Sequence, residues 1–299
     1  MTRTEPVEGL VETPAPWNLT GKAWIFPTYT PFSEAPVAPP EGSYAPLEQG
    51  SKADQSERFH GGVGTVMLIR YDSGEAGPYD ELLLVPGLFS RTKTGNDKPD
   101  YHFSISRIYV STDVSVYNGR KNWGIPKHRA LFDWSTSPSG NTLLSISHPS
   151  SPSHPFFRAE LANSPLTPFS VPASTSMLDW RLSKWLMDGY SAALYQPALT
   201  GATESADEGK VESVKRTGQD LEAVVGSAHT FALKPEATGW ARIACILPVK
   251  AEDGQDWSAF GDGLGFPRFT PAKEGPLKGR GVHMPSFKMS FPVSTIVQE

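Results

Sequence analysis

Short apolar runs separated by Gly-, Pro- and Ser-rich breaks dominate the chain. Lys22 to Tyr29 alternates so that Trp24 and Phe26 share one face, the period of a half-buried strand. Val63 to Tyr71 is a second β-rich run, followed by the turn residues Asp72-Ser73-Gly74. The apolar run Leu82–Val85 comes next, so the pair predicts an antiparallel hairpin. Tyr101 to Thr112 predicts a strand with Phe103, Ile105 and Ile108 inward. Ala130–Trp134, Leu143–His148, Phe156–Leu161, Leu221–Val225, Trp240–Val249 and Phe287–Phe291 complete a list of about ten strands. Only Thr175 to Tyr190 offers a helical face, through Met177, Leu178, Leu182, Trp185 and Leu186. Ser33–Ser56, Ser164–Pro172 and Gly201–Gln219 read as loops, the first long enough to be a functional cover. Many short strands and little helix predict a mainly β chain, an antiparallel barrel or sandwich.

Length and composition narrow the picture. The 299 residues show no internal repeat and fit one domain over residues 16–299, preceded by a loose leader over residues 1–15. The net charge of −5 and the absence of a basic run argue against a nucleic-acid partner. No window approaches the ~20 apolar residues of a membrane span. The acidic, Pro-rich start resembles neither a secretory signal nor an organelle presequence, so a cytoplasmic location is expected. Cys245 is the one cysteine, which excludes an intrachain disulfide, and its apolar neighbours suggest a buried packing role. The seven histidines are scattered without HExxH spacing, so no metal is expected. Gly261-Asp-Gly263-Leu-Gly265 lacks the Gly-Lys-Ser/Thr ending of a phosphate loop and reads as a turn. No dinucleotide fingerprint is present, and cofactors are expected to be none.

Special chemistry concentrates between Tyr117 and Phe132, in the sequence YNGRKNWGIPKHRALF. Gly119 and Gly124 permit backbone conformations closed to other residues. Pro126 fixes its own φ and holds Ile125 extended, so Lys127 leaves a stiff, kinked segment. Arg120, Lys121, His128 and Arg129 gather positive charge around it, while Trp123, Leu131 and Phe132 offer apolar walls. Gly119-Arg120 followed by Gly124-Ile125-Pro126-Lys127 resembles the signature of the acetoacetate decarboxylase-like superfamily. In that family the lysine after the proline forms a Schiff base, activated by a neighbouring cation. Gly77-Pro78-Tyr79-Asp80-Glu81 is similar to a second family stretch, whose glutamate lines the same pocket as the lysine. Pro16-Trp17-Asn18-Leu19 and Gly281-Val282-His283-Met284-Pro285 resemble a diverged subgroup common in fungi. The resemblance runs over most of the chain from about Trp17 and implies a cone-shaped antiparallel β-barrel that often forms homo-oligomers.

One departure bears on mechanism. Where the decarboxylases have a second lysine, this chain has His128, which is mostly neutral at pH 7. The leading expectation is therefore a cofactor-free cyclase, isomerase or lyase. It would hold a bulky aromatic, polyketide or terpenoid molecule among the eight tryptophans and other aromatic residues, as in secondary metabolism. Lys127 would act as a cation on an enolate or phenolate and Glu81 would exchange a proton. The alternatives are a Schiff-base decarboxylase or aldolase-type lyase acting on a β-keto acid through Lys127, and a lipophilic-ligand carrier without chemistry. Candidate substrate contacts are Arg120, Tyr79, Tyr117, Trp123, His128 and His283. Arg120 could bind a substrate carboxylate, but a structural ion pair behind the lysine is the favoured reading. If side chains alternate along the segment, Lys127 and His128 face opposite ways, with Lys127 inward.

Overall fold

The computed structural model describes residues 10–91, 99–164, 169–176, 190–199, 201, 221–249, 260–269 and 279–297. Its strands are β1 (Trp17–Thr30), β2 (Phe59–Ser73), β3 (Tyr79–Val85), β4 (Leu88–Arg91), β5 (Asp100–Phe103) and β6 (Arg107–Val110). The helix α1 (Asp113–Trp123) follows, then β7 (Lys127–Arg129), β8 (Leu131–Thr136), β9 (Thr142–Ser147), β10 (Pro155–Asn163) and β11 (Val171–Ser174). The chain continues through β12 (Tyr190–Gln196), β13 (Thr230–Leu233), β14 (Glu236–Leu247), β15 (Arg280–Phe291) and β16 (Thr295–Val297). The mainly β, largely antiparallel architecture is the one the apolar pattern predicts. Two pairings are parallel, β12 with β5 and β6 with β7.

The strand order is β16-β13-β12-β5-β4-β2-β1-β15-β14-β10-β9-β8, with β11 on β14 and a β3–β6–β7 ladder branching from β2. Its ends do not join among the described residues, so the expected barrel is not closed. Strand β2 explains the branching. Phe59 and Gly61 pair with β4, whereas Thr65 to Tyr71 pair with β3. The transfer falls at Gly61 and Gly62, whose φ angles of 77° and 88° suit only glycine well. A strand handed from one ladder to another divides the sheet instead of curling it shut.

Strands β1, β2, β3 and β6 are buried on both faces, which is why all seven residues of β3 are inaccessible. One face carries Trp17, Leu19, Ile69, Tyr71, Tyr79, Leu83, Ile108 and Val110 and packs against Val116 and Trp123 of α1. The other carries Trp24, Phe26, Leu68, Leu82, Leu84 and Tyr109 and packs against residues of β8, β9 and β10. Period-two alternation thus sorts the chain into two cores.

Several local expectations change. The segment from Tyr117 to Trp123 is not a kinked extension but the second half of α1. Thr112 caps that helix, its side chain accepting from Ser115 N, and Gly124 ends it in the left-handed conformation at φ 62°. Leu221 to Val225 is a 3-10 turn over Leu221–Ala223, because a five-residue apolar run does not distinguish a turn from a strand. Tyr101–Thr112 splits into β5 and β6. Cys245 is half-buried, not fully packed away. Gly263 lies in a turn as expected, with Asp262 accepting from the amides of Leu264 and Gly265. Of the helical face read in Thr175–Tyr190, residues 177–189 lie outside the described residues, as do residues 202–219 of the Gly201–Gln219 loop.

Candidate functional site

β6, α1 and β7 form a parallel crossover that aims Lys127 at the first core. Ile108 of β6 lies beside Lys127 in the ladder, and Glu81 of β3 lies beside Val110. Lys127 and Glu81 therefore come to one face from strands two positions apart. Gly124 makes the reversal from α1, with its amide and that of Ile125 bonding back to Arg120 and Gly119 carbonyls. Gly119 has a role that its helical conformation hides. A Cβ there would sit 2.5 Å from Lys127 Cδ and 2.8 Å from Cε. The glycine leaves the channel through which the lysine stem crosses the helix. Ser115, one turn earlier on the same helical face, meets the end of that stem.

Lys127 Nζ donates to Glu81 Oε2 at 2.9 Å and to Ser115 Oγ at 3.0 Å. Tyr71 OH donates to Glu81 Oε1 at 3.2 Å. The Tyr71 and Tyr79 rings lie 4.5 Å apart, tilted by 36°. The rings of Tyr79 and Trp17 lie 5.1 and 6.0 Å from Nζ, within reach of a cation–π attraction. Lys127 and Glu81 are each 4 % exposed. Burial pushes the Tyr71 and Tyr79 hydroxyls well above the usual phenol range, and the Glu81 carboxylate pushes them further. Both remain proton donors at neutral pH. An ammonium has three N–H groups, and two are directed at Glu81 and Ser115. The remaining one has no hydrogen-bond acceptor among the described residues.

Behind the lysine, Arg120 is fully engaged in structure. Its Nε donates to Val225 O at 2.7 Å, and its Nη1 donates to Glu48 Oε1 at 3.1 Å and to Lys127 O at 3.3 Å. His128 points the opposite way from Lys127 and bonds Glu48 Oε2 through Nε2 at 2.8 Å. Burial alone would raise the Glu48 carboxyl, but His128 and Arg120 outweigh it and hold it below the usual carboxylate range. Glu48 thus ties the segment before and after Pro126 to the long loop that precedes β2.

The remaining expected contacts are elsewhere. Tyr117 donates to Glu12 Oε1 at 2.7 Å, facing the N-terminal segment. Trp123 donates from Nε1 to Pro292 O at 2.8 Å and meets Trp17 edge-on at 4.9 Å, so it backs the chamber without touching Nζ. His283 is on the other face, stacked on Trp24 at 4.6 Å. Burial, with Arg242 and Lys22 nearby, lowers its imidazole to about 4. Of the eight expected residues, Lys127, Glu81 and Tyr79 meet in one chamber. Ser115, Tyr71 and Trp17 join them and were missed. Tyr71 could have been found from the hairpin, since it pairs with Tyr79 across β2 and β3. Ser115 becomes legible only once residues 113–123 are known to be helical. No group of metal-ligating side chains occurs among the described residues.

The fold and the chamber define a β-rich protein with a buried lysine–carboxylate pair between a sheet and its crossover helix. No family model matches the sequence, and no curated protein matches it. Solved structures are similar in backbone course. An acetoacetate decarboxylase-like enzyme from Sphingomonas wittichii RW1 is 11% identical with a TM-score of 0.47, over 100% of this chain and 99% of that one. Acetoacetate decarboxylase from Legionella pneumophila is 10% identical with a TM-score of 0.45, over 99% and 93%. The enduracididine biosynthesis enzyme MppR is 13% identical with a TM-score of 0.45, over 95% and 90%.

Proposed function

We propose that the protein is a small-molecule enzyme that handles an enolisable carbonyl compound without a covalent enzyme intermediate. The observation carrying this reading is the geometry at Lys127 Nζ. Glu81 and Ser115 fix two of its donors, and the third faces the Tyr79 and Trp17 rings. A substrate carbonyl oxygen accepting that third N–H would lie against a positive charge in an apolar surround, where an enolate is stabilised far more than in water. Glu81 would remove the α-proton and return it at the same or a neighbouring carbon, the step common to isomerases, cyclases and lyases. Tyr71 holds Oε1 of Glu81, and Oε2, which accepts from Lys127 Nζ, is the oxygen that would exchange the proton. Arg120 and His128 act through the backbone and Glu48, holding Lys127 in place. Trp123 and Tyr117 lie away from Nζ, and among the described residues Trp17, Tyr71 and Tyr79 are the aromatic ones whose contacts reach Lys127 or Glu81. That supports a more compact substrate than the tryptophan content of the sequence suggests.

The test is proton exchange on aryl ketones and cyclic 1,3-diketones in D2O, followed by proton NMR. Exchange by the native chain should fall about a hundredfold or more in Lys127→Met and in Glu81→Gln, the scale of losing an electrostatic or acid–base group. Exchange that persists in both variants would remove the chamber from the chemistry.

A further inference from the structure

A cavity of about 550 Å³ opens between the Ser51–Arg58 loop and strands β4, β5, β12 and β13. Neither Lys127 nor Glu81 lines it. Its volume lies in the range of sites for drug-sized molecules. Three cations line it, Lys52, Arg58 and Arg91, against the two carboxylates Asp54 and Glu57. Asp54 is turned into its own loop, where it accepts from the amides of Gly50 and Ser56 at 2.9 and 3.0 Å. The balance facing the cavity is therefore positive. The guanidinium of Arg91 is spread 4.4 Å over the Tyr195 ring, which fixes its plane.

The deepest polar group on this wall is unsatisfied. His102 is 3 % exposed and lies tilted against the Tyr195 ring at 4.9 Å, and its Nδ1 has no hydrogen-bond partner among the described residues. That atom is sealed from solvent, so it lies behind the cavity wall and not on its surface. Burial, with the charges of Arg91 and Arg58, lowers the imidazole to about 4. The ring is thus neutral at pH 7. Pro197, Ala198, Ala228 and Val297 add apolar surface beside the polar Ser51, Gln55, His229 and Thr230.

We propose that this cavity is a binding site for an organic carboxylate on a flat, apolar body. The carboxylate sits between Arg91 and Arg58, and the body lies against Tyr195, Pro197 and Val297. A modest excess of cations, three against two carboxylates, matches a single negative charge better than a phosphate dianion. The site is independent of the lysine chamber and of the reaction assigned to it.

The experiment is calorimetric titration of the full chain with 2-naphthoate at low salt, beside 2-naphthamide and inorganic phosphate. The expected result is saturable one-site binding of 2-naphthoate and none of the amide. Affinity should fall about tenfold or more in Arg91→Gln and in Arg58→Gln, the scale of one charged hydrogen bond. It should be unchanged in Ser115→Ala, which alters the lysine chamber alone. Thermal unfolding identifies any variant that fails to fold, and Arg58→Gln, at an exposed position, carries the test if Arg91→Gln unfolds. No saturable binding, equal binding of the amide, phosphate binding as tightly as 2-naphthoate, or affinity untouched by the folded arginine variants would each overturn the proposal.

Discussion

Substituting Gly119 by alanine separates the chamber's geometry from the stability of the helix that builds it. On an exposed helix the change would stabilise, since glycine is about 1 kcal/mol poorer than alanine in a helix interior. Here the new Cβ would stand 2.5, 2.8 and 3.2 Å from Lys127 Cδ, Cε and Cγ. Ordinary carbon contacts begin near ~3.5 Å, so the lysine stem must retreat by on the order of 1 Å. Nζ now lies 2.9 Å from Glu81 and 3.0 Å from Ser115, and that retreat takes both contacts beyond normal hydrogen-bond length. Hydrogen bonds to charged groups contribute about 1.5–3 kcal/mol each. Partial loss of two, set against the propensity gain, leaves a net destabilisation of about 1–3 kcal/mol. The effect on the reaction should be larger, because a 1 Å misplacement of a catalytic group lowers rate by about a hundredfold. Urea unfolding would give the stability change, and ketone proton exchange would give the rate change. An alanine variant that is more stable than the native chain and exchanges at the native rate would refute the claim that Gly119 is there to pass the lysine.

Other expectations follow from the same contacts. Glu81→Gln leaves a buried ammonium without its carboxylate and should destabilise the chain by about 3–5 kcal/mol in urea unfolding. The double change with Lys127→Met should recover much of that loss. Ser115→Ala should slow proton exchange and lower stability in urea unfolding by about 1.5–3 kcal/mol, the scale of one hydrogen bond to a charged group. His283 is held neutral, with its pKa lowered to about 4 from an unfolded value near 6.5, so its contribution is complete above pH 6.5 and is lost as pH falls toward 4. At 1.36 kcal/mol per unit this amounts to on the order of 3 kcal/mol, and His283→Gln should flatten the fall in stability across that window. Glu48 has a depressed carboxyl pKa, so its contribution is present above the ordinary carboxylate range and is lost as pH falls through the lower folded value. Glu48→Gln should weaken the native fold at neutral pH and blunt its acid unfolding.

The strands were legible because alternation is a direct imprint of a two-faced sheet. Trp24 and Phe26, or Leu82 and Leu84, appear in the sequence as they appear in the second core. The opposed directions of Lys127 and His128 were legible for the same reason. The helix α1 was not, since its face toward the core includes Ser115, Asn118, Gly119 and Arg120, residues that no apolar periodicity reveals. Gly119 was noticed for conformational freedom, yet its φ is ordinary and its missing side chain is what matters. The places of Tyr117, Trp123 and His283 depended on tertiary partners, Glu12, Pro292 and Trp24, which lie far away in the sequence. Closure of the sheet depended on the transfer of β2 between ladders at Gly61 and Gly62, and a composition rich in glycine does not say which glycine bends the sheet.

The central claim is that Lys127 works as a cation and not as a nucleophile, and borohydride trapping tests it most directly. The native chain would be incubated with a ketone that it deprotonates, reduced with borohydride, and read by intact and peptide mass spectrometry. An unmodified mass, with proton exchange lost in Lys127→Met and partly retained in Lys127→Arg, is the expected result. A reduced substrate adduct mapped to Lys127 would contradict the account and establish a Schiff-base mechanism in its place.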